Sequence, residues 1–199
     1  SAASDVYKRQ AQVVCDPTLL FDAEGWKQML TEKKIVEEPY VFCYFLGTNE
    51  EHRTVANEFK KKTGLKLVTC PFLDNFVEAD QYFGDIQLFD MDAADFVNLI
   101  RNAEYILTDS FHGSVFSILN HKKFMTFNRF NSGSNSRNSR IDSLCTLLGL
   151  NERRYAGNVM DIKNDIDYIG VEKKLNKLKA DSIKSVSYTH LRAHETSAH

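Results

Sequence analysis

One stretch constrains the fold of this chain more than any other: residues 105–130, which read YILTDSFHGSVFSILNHKKFMTFNRF. It begins with a β-prone run, Tyr105–Thr108, and ends with a second apolar run, Phe124–Phe127. Between these runs, Val115 and Ile118 recur at helical spacing. The pattern predicts a β-loop-α-β unit, in which a short helix connects two neighbouring parallel strands.

The loop of this unit carries the residues best suited to chemistry: Asp109, Ser110, Phe111, His112 and Gly113. Asp109 or Ser110 is predicted to cap the helix, and Gly113 to let a ligand approach the backbone. Free N–H groups at a helix N-terminus attract anions. We therefore expect those of Gly113 and Ser114 to point, with His112, into an open cleft that binds a phosphate or carboxylate. The alternative is a purely structural turn, which any doubly wound sheet needs.

Three more apolar runs predict strands of the same sheet: Tyr40–Leu46, Leu65–Thr69 and Ile86–Leu88. Helices are predicted at Ala23–Lys34, Glu50–Lys62, from the cap Asp92 to Arg101, Arg140–Leu148 and Asp165–Lys184. The near-continuous apolar run at Tyr40–Leu46 is typical of a parallel strand that is buried on both faces. The sequence therefore predicts an α/β fold, a Rossmann-like parallel sheet with helices on both faces.

A glycine turn follows the strand Tyr40–Leu46 and leads into the next helix. Gly47 and Thr48 in this turn could line the same cleft, because carboxyl ends of parallel strands meet at one edge of a sheet. One glycine is not a dinucleotide-binding fingerprint, however, and a plain structural turn is the simpler account.

A segment rich in Ser and Asn, Phe130–Ser139, follows the last predicted strand. Arg129, Arg137 and Arg140 lie in or beside it. Such a loop can fold over a ligand and bring guanidinium groups to its phosphate and carboxylate. The alternative is a surface loop with solvated arginines.

Three segments resemble one protein family. TDSFHGSVFSILNHKKFMTFNR at 108–129 is similar to the signature segment of the polysaccharide pyruvyl transferases, and RIDSLCTLLGLNERRY at 140–155 and DPTLLFD at 16–22 resemble other parts of that family. They follow the family's order and spacing from about Val13 to Tyr155. The resemblance implies a fold similar to GT-B glycosyltransferases, in which two Rossmann-like domains face a cleft and no metal is required. This chain would contain the C-terminal, donor-binding half.

The resemblance also implies an activity: transfer of a pyruvyl group from phosphoenolpyruvate to two hydroxyls of a sugar, as a cyclic ketal, with release of phosphate. The acceptor would be a sugar of a bacterial cell-surface polysaccharide or exopolysaccharide, or a lipid-linked saccharide, and no cofactor is implied. His112 matches the family's motif histidine and would contact the donor or give a proton to its enol carbon.

One departure from the family pattern concerns phosphate binding. Many members carry an Arg two residues before the motif histidine, where this chain has Ser110. The role of that Arg is therefore not carried over, and the three arginines near the Ser/Asn-rich segment are the candidates to replace it. The predicted substrate-binding residues are Gly47, Thr48, Ser110, Phe111, Gly113, Ser114, Arg129, Arg137 and Arg140.

Two other classes of function stay open. A GT-B glycosyltransferase that uses a nucleotide sugar would share the fold and the phosphate-binding helix end. A catalytically inactive relative that only binds a ligand would share both features as well.

Both ends of the chain resemble sequencing artefacts. Ser1–Gln10, SAASDVYKRQ, and Val186–Thr196, VSYTHLRAHET, look like in-frame translations of the transposon-end adapters used to prepare sequencing libraries. We therefore predict non-native segments at 1–10 and 185–199 that pack against nothing. Between them we expect the end of a first domain and the crossover at 11–39, with a short strand at 12–15, and a donor-binding domain with a C-terminal helix at 40–184. A fragment of this kind would be inactive alone.

The composition argues against several kinds of partner. With 43% hydrophobic residues, 26% charged residues and a net charge of -2, the chain lacks the basic excess of a nucleic-acid-binding protein. No apolar run approaches the ~20 residues of a transmembrane helix. The chain is expected in the cytoplasm, and at the inner face of the membrane if the acceptor is lipid-linked.

The cysteines do not predict a metal or redox site. Cys15, Cys43, Cys70 and Cys145 lack the short separations of a zinc or thiol-redox motif. Cys43 and Cys145 fall in apolar segments and are predicted to be buried and inert. The adjacent Arg153 and Arg154 are predicted to lie at the surface.

Overall fold

The computed structural model of the protein describes residues 16–71, 77–129 and 135–196. Five strands in these ranges form one sheet: β1 Tyr40–Tyr44, β2 Lys66–Thr69, β3 Ile86–Gln87, β4 Tyr105–Thr108 and β5 Lys123–Thr126. Every neighbouring pair is parallel, in the spatial order β3-β2-β1-β4-β5. The five predicted strands are confirmed to within about two residues, and the strand predicted at 12–15 lies outside the described residues.

Six α-helices lie within the described ranges: α1 Ala23–Met29, α2 Glu50–Thr63, α3 Ala93–Asn102, α4 Phe111–Leu119, α5 Asn135–Leu148 and α6 Tyr168–Thr196. Asn49, Asp92 and Ser110 cap α2, α3 and α4, because each side chain accepts a backbone N–H of the first turn. Gly64 ends α2 in the left-handed conformation, at φ 72°, which glycine adopts without steric cost.

The sheet is covered on both faces, because successive side chains of a strand point to opposite sides. In β1, Tyr40 and Phe42 belong to one core, with apolar residues of α3, α4 and α5. Val41 and Cys43 belong to the other core, with apolar residues of α2 and of the short 3-10 helix Val159–Lys163. The predicted Rossmann-like sheet with helices on both faces is therefore confirmed.

The strand order places one edge of the sheet where ligands bind in folds of this class. The chain moves from β1 outward through β2 and β3, then crosses back to β4 on the other side of β1 and continues to β5. The direction of winding thus reverses between β1 and β4, whose last residues, Tyr44 and Thr108, are register partners. Open parallel sheets bind ligands outside the carboxyl ends of the strands at such a point. The loops that follow β1 and β4 begin there, side by side.

Several predicted helix boundaries were wrong. Helix α1 ends at Met29 rather than Lys34, because the chain beyond it is held extended by α3: the Asn98 amide donates to the Thr31 carbonyl at 2.9 Å. The segment predicted as the loop Phe130–Ser139 is helical from Asn135 onward, and 130–134 lie outside the described residues. The added first turn of α5 is anchored to the end of β5, because the Asn138 side chain accepts the Arg129 N–H at 3.0 Å.

Helix α6 begins at Tyr168, three residues later than predicted, because the Asp167 carboxylate accepts the N–H of Gly170 at 3.0 Å. It continues to Thr196, past the predicted end at Lys184. The segment 1–10 and the side chains beyond residue 184 lie outside the described part of the chain. The division into native and non-native segments therefore stays a prediction.

Arg153 was wrongly predicted to lie at the surface. It is 1% exposed, and its Nη1 lies 3.3 Å from the carbonyl oxygen of Asn164, to which it donates. Arg154 is partly exposed and pairs with the Asp142 carboxylate at 2.9 Å. The sequence contains no helical or strand period at this point that would show which of two adjacent arginines turns inward.

The predicted burial of Cys43 and Cys145 is confirmed. Both are at most 1% exposed, and burial raises the pKa of each thiol. Cys70 is also buried, which raises its pKa to about 12. These three cysteines are free and keep their protons near neutral pH, so they behave as small apolar side chains.

The described ranges contain no group of three or more His, Cys, Asp or Glu side chains placed to hold a metal ion. None of the helices in those ranges is long and apolar enough to cross a membrane.

Candidate functional site

The candidate site is built around the first turn of α4, at the carboxyl end of β4. The Ser110 hydroxyl accepts the N–H of Gly113 at 3.3 Å, and this contact confirms the predicted cap. The Ser110 N–H donates to the Thr108 hydroxyl at 3.0 Å, so the loop is fixed to the end of the strand. His112 is exposed on the same turn. The capped loop therefore presents an imidazole at the edge where the strand order reverses.

The prediction that Gly113 and Ser114 offer free N–H groups was wrong. Both residues are buried; the N–H of Gly113 is taken by Ser110, and that of Ser114 donates to the Ser110 carbonyl at 3.0 Å. Gly113 is required for packing, since a Cβ there would lie 2.5 Å from the Thr108 hydroxyl oxygen. Ser110, 2% exposed, is likewise engaged within the protein. Ser110, Gly113 and Ser114 therefore shape the loop, and their contact with substrate stays a prediction.

Asp109 is the centre of the buried part of the site, and sequence reasoning had treated it only as a possible cap. Its side chain is fully buried, and its two carboxylate oxygens accept the N–H groups of Leu46 at 2.7 Å and Gly47 at 2.9 Å. Burial raises the pKa of Asp109, but His52, these two N–H groups and Arg129 outweigh it and lower the pKa below its ordinary value. Asp109 is therefore an ionised tie between the loops that follow β4 and β1.

Gly47 has a packing role in this tie. A Cβ at Gly47 would lie 2.8 Å from the Asp109 carboxylate and 2.9 Å from Arg129 Cγ, and both distances are too short for real contacts. Its neighbour Thr48 is exposed at the same edge. Close packing therefore explains why position 47 is a glycine. The role of Gly47 and Thr48 in binding substrate stays a prediction.

Arg129 reaches the same place from the loop after β5. Its Nη2 donates to the Asp109 carbonyl at 3.3 Å, and its Nε lies 3.8 Å from the Asp109 carboxylate. The main-chain N–H of Arg129 donates to the Asn138 side chain at 3.0 Å, so the start of α5 is tied to the end of β5. Only 13% of the Arg129 side chain is exposed. The structure therefore brings this predicted arginine beside Ser110.

A second group of side chains lies on the outer side of the α4 N-terminus. The Arg140 guanidinium carbon lies 4.1 Å above the Phe111 ring, in cation–π geometry, and Arg140 pairs with the Asp16 carboxylate at 2.9 Å. Burial raises the pKa of Asp16, but hydrogen bonds from Thr18 and the charges of His112 and Arg140 lower it below its ordinary value. His112, Phe111 and Arg140 are thus gathered at one place.

Two functional neighbours were missed by sequence reasoning. Asp16 lies 124 residues from Arg140 in the chain, and the only signal was its place in the segment DPTLLFD. His52, on α2, is 3% exposed and lies 3.7 Å from the Asp109 carboxylate, between the Phe45 and Phe127 rings. At this separation we treat the His52 contact as electrostatic, because it exceeds the length of a hydrogen bond. No local pattern marks a helical histidine as the neighbour of a distant carboxylate.

The side chain of Arg137 lies outside the described residues, so its predicted role stays a prediction. A cavity of about 600 Å³ lies at the opposite, amino edge of the sheet, between the ends of α3 and α4 and the face of α6. It touches none of the candidate residues, and its walls carry charges of both signs. The chemistry of the carboxyl edge, rather than cavity size, therefore identifies the candidate site.

Comparison with known proteins decides the family. The family model described as polysaccharide pyruvyl transferase matches residues 2–131, about two thirds of the chain, including β1 to β5 and the α4 loop. The chain belongs to the polysaccharide pyruvyl transferase family. The match starts within the segment 1–10, and the origin of that segment in an adapter stays a prediction.

Other comparisons add little to this assignment. A crystal structure of a protein assigned as a UDP-N-acetylglucosamine 2-epimerase from Listeria monocytogenes is similar, with a TM-score of 0.42 and 14% sequence identity. The aligned part covers 85% of this chain and 43% of that chain, so this chain spans less than half of that protein's length. No curated protein matches significantly. The fold assignment therefore rests on the sheet itself, and the family on its sequence.

Proposed function

We propose that this member of the polysaccharide pyruvyl transferase family takes its pyruvyl group from phosphoenolpyruvate and passes it to a sugar as a ketal. The observation that carries the proposal is the exposed His112 on the first turn of a helix, where Arg140 lies over the adjacent Phe111 ring and Arg129 donates to the nearby Asp109 carbonyl. Phosphoenolpyruvate carries a phosphate and a carboxylate, and guanidinium groups suit both.

In the proposed reaction, two sugar hydroxyl oxygens form bonds to C2 of phosphoenolpyruvate, while the bond between C2 and the phosphate oxygen breaks. One hydroxyl proton balances the proton that C3 gains as it becomes a methyl group, and the other leaves on the phosphate. His112 is the proposed proton donor to C3, because it is exposed on this turn and histidine is the side chain that most often serves as a general acid.

Arg129 is our candidate to replace the Arg that many family members carry at the position of Ser110. Its guanidinium donates to the carbonyl of Asp109, the residue before Ser110, although it starts from a different strand. Arg140 is the second candidate, but an anion would share it with the Asp16 carboxylate. We propose that Arg129 binds the phosphate and that Arg140 contributes from the outer side.

The acceptor is proposed to be a sugar of a cell-surface polysaccharide or exopolysaccharide, or a lipid-linked saccharide at the inner face of the membrane. The ketal step needs both hydroxyls within reach of C2, and a second domain facing this edge would place them. We therefore expect this chain to bind phosphoenolpyruvate weakly without turnover.

The test is titration with phosphoenolpyruvate, by calorimetry or NMR, of the wild type, His112→Ala and a control, His121→Asn. Removing a hydrogen bond to a charged ligand should cost about 1.5–3 kcal/mol, roughly a 10- to 150-fold loss of affinity. His121 is exposed at the opposite edge, in a left-handed conformation (φ 51°) that Asn tolerates, and its variant should bind as the wild type does.

The same titration separates the alternatives. Equal affinity of the wild type and His112→Ala would remove His112 from the site. Binding of a nucleotide sugar in preference to phosphoenolpyruvate would favour a glycosyltransferase. Retained activity of a complete, active enzyme after the His112 change would refute the catalytic role.

A further inference from the structure

We propose that Asp109 is a positioning residue for the donor site: it holds the Arg129 guanidinium and the Gly47 turn beside α4, without contacting substrate itself. The inference rests on the proposed function, since it assigns how the proposed phosphate-binding arginine is kept in place. It concerns a residue with no role in the proposed chemical steps.

The first support is the burial of the Asp109 carboxylate. An ionised group with a fully buried side chain is costly unless it is paired and hydrogen-bonded. Here the N–H groups of Leu46 and Gly47 bond to separate oxygens of the carboxylate, at 2.7 and 2.9 Å. A carboxylate held so firmly by backbone groups is a fixed point rather than a group that moves to meet a substrate.

The second support is that one residue contacts Arg129 twice. Nη2 of Arg129 donates to the Asp109 carbonyl at 3.3 Å, while Nε lies 3.8 Å from the Asp109 carboxylate. The planar guanidinium is thereby oriented as well as attracted, which a single point contact could not achieve. Gly47 packs directly against both residues, and the space between Asp109 and Arg129 has no room for a side chain at this position.

The sign of the expected effect distinguishes positioning from simple electrostatics. Asp109 is negative, so by Coulomb's law alone its neutralisation should strengthen the binding of a nearby anion. If Asp109 acts through Arg129, the same change should weaken binding, because the guanidinium loses its orientation. The two accounts therefore predict opposite outcomes for Asp109→Asn.

The experiment is a double-mutant cycle on the full chain, with phosphoenolpyruvate as the probe. Asp109→Asn should lower the affinity by about fivefold or more, and should add less than about twofold in an Arg129→Gln background. Arg129→Lys keeps the charge but not the two-point contact, so it should bind nearly as poorly as Arg129→Gln. Should Asp109→Asn fail to fold, wild-type affinity of Arg129→Lys would still overturn the inference.

The control is Asp85→Asn. The Asp85 carboxylate likewise accepts a backbone N–H, that of Leu67 at 2.8 Å, and pairs with a cation, Lys60, but at the opposite edge of the sheet. Its loss should lower stability and leave the affinity for phosphoenolpyruvate unchanged. A merely structural role for Asp109 would make the two variants behave alike.

A second readout does not depend on ligand binding. In ¹⁵N-labelled protein, the guanidinium hydrogens of Arg129 should exchange slowly in the wild type and in Asp85→Asn, because Nη2 donates to the Asp109 carbonyl. They should exchange faster in Asp109→Asn, which no longer orients the guanidinium. An unchanged Arg129 signal, wild-type or tighter affinity of Asp109→Asn, or wild-type affinity of Arg129→Lys would overturn the inference. A wild type that binds no phosphoenolpyruvate would refute the proposed function instead, and the Arg129 signal would still decide whether Asp109 positions it.

Discussion

Replacing Gly113 with Ala tests whether the glycine of the α4 loop serves packing or ligand access. The added Cβ would lie 2.5 Å from Oγ1 of Thr108 and 3.2 Å from its Cβ and Cγ2. Thr108 cannot turn away without loss, because Oγ1 donates to the Tyr44 carbonyl at 2.7 Å and accepts the Ser110 N–H at 3.0 Å. The substitution therefore forces a backbone shift together with the loss of two buried hydrogen bonds.

The expected change in the free energy of unfolding combines two destabilising contributions and one stabilising contribution. Overpacking of a tight interior costs about 1–3 kcal/mol. Loss of two buried hydrogen bonds adds about 1 kcal/mol each. The higher helix propensity of Ala returns about 1 kcal/mol at Gly113. The net cost should be about 2–4 kcal/mol, a fall in melting temperature of roughly 5–15 °C for a chain of this size.

The assay is thermal or urea unfolding of the wild type, Gly113→Ala, Thr108→Ala and the double variant. Thr108→Ala removes the hydroxyl and the methyl group that the new Cβ would meet, so the double variant should be more stable than the sum of the single effects by about 1–3 kcal/mol. Additive effects, or a Gly113→Ala stability within about 0.5 kcal/mol of the wild type, would refute the packing account. A selective loss of phosphoenolpyruvate affinity would instead restore the role of Gly113 in ligand access.

Two further predictions concern buried charges. Arg153→Ala should destabilise the protein by about 2–4 kcal/mol, because the buried carbonyls of Ile162 and Asn164 lose their hydrogen-bond donor. Arg154→Ala, which removes a partly exposed ion pair with Asp142, should cost less. Equal unfolding midpoints of the two variants would contradict this prediction. The lowered pKa of Asp109 gives stability that is fully present above the unfolded-state pKa of about 3.9 and is lost as pH falls through the folded-state value. The difference in unfolding free energy between the wild type and Asp109→Asn, measured by urea unfolding from pH 7 to 3, should therefore decrease toward acid pH. A difference that stays constant would show that the lowered pKa of Asp109 does not stabilise the protein.

Much of the fold could be predicted because it depends on neighbours in the chain. The apolar runs, the caps Asn49, Asp92 and Ser110, and Gly64 at the end of α2 are local signals that act within a few residues. The predicted end of α1 and the predicted start of α5 were wrong because they depend on residues outside those helices. Two hydrogen bonds between separate segments act there, from the Asn98 amide to the Thr31 carbonyl and from the Arg129 N–H to the Asn138 side chain.

The amino-acid sequence by itself determined the parallel sheet, the family and the loop that carries His112, since each follows from local pattern or from resemblance. The tertiary structure alone decided which groups surround that loop. Asp109 meets Gly47 over 62 residues of chain, and Arg140 meets Asp16 over 124. Contacts of this span leave no periodic trace in the sequence, because they arise only when the folded chain brings distant segments together, as the carboxyl edge of the sheet does for the loops after β1 and β4.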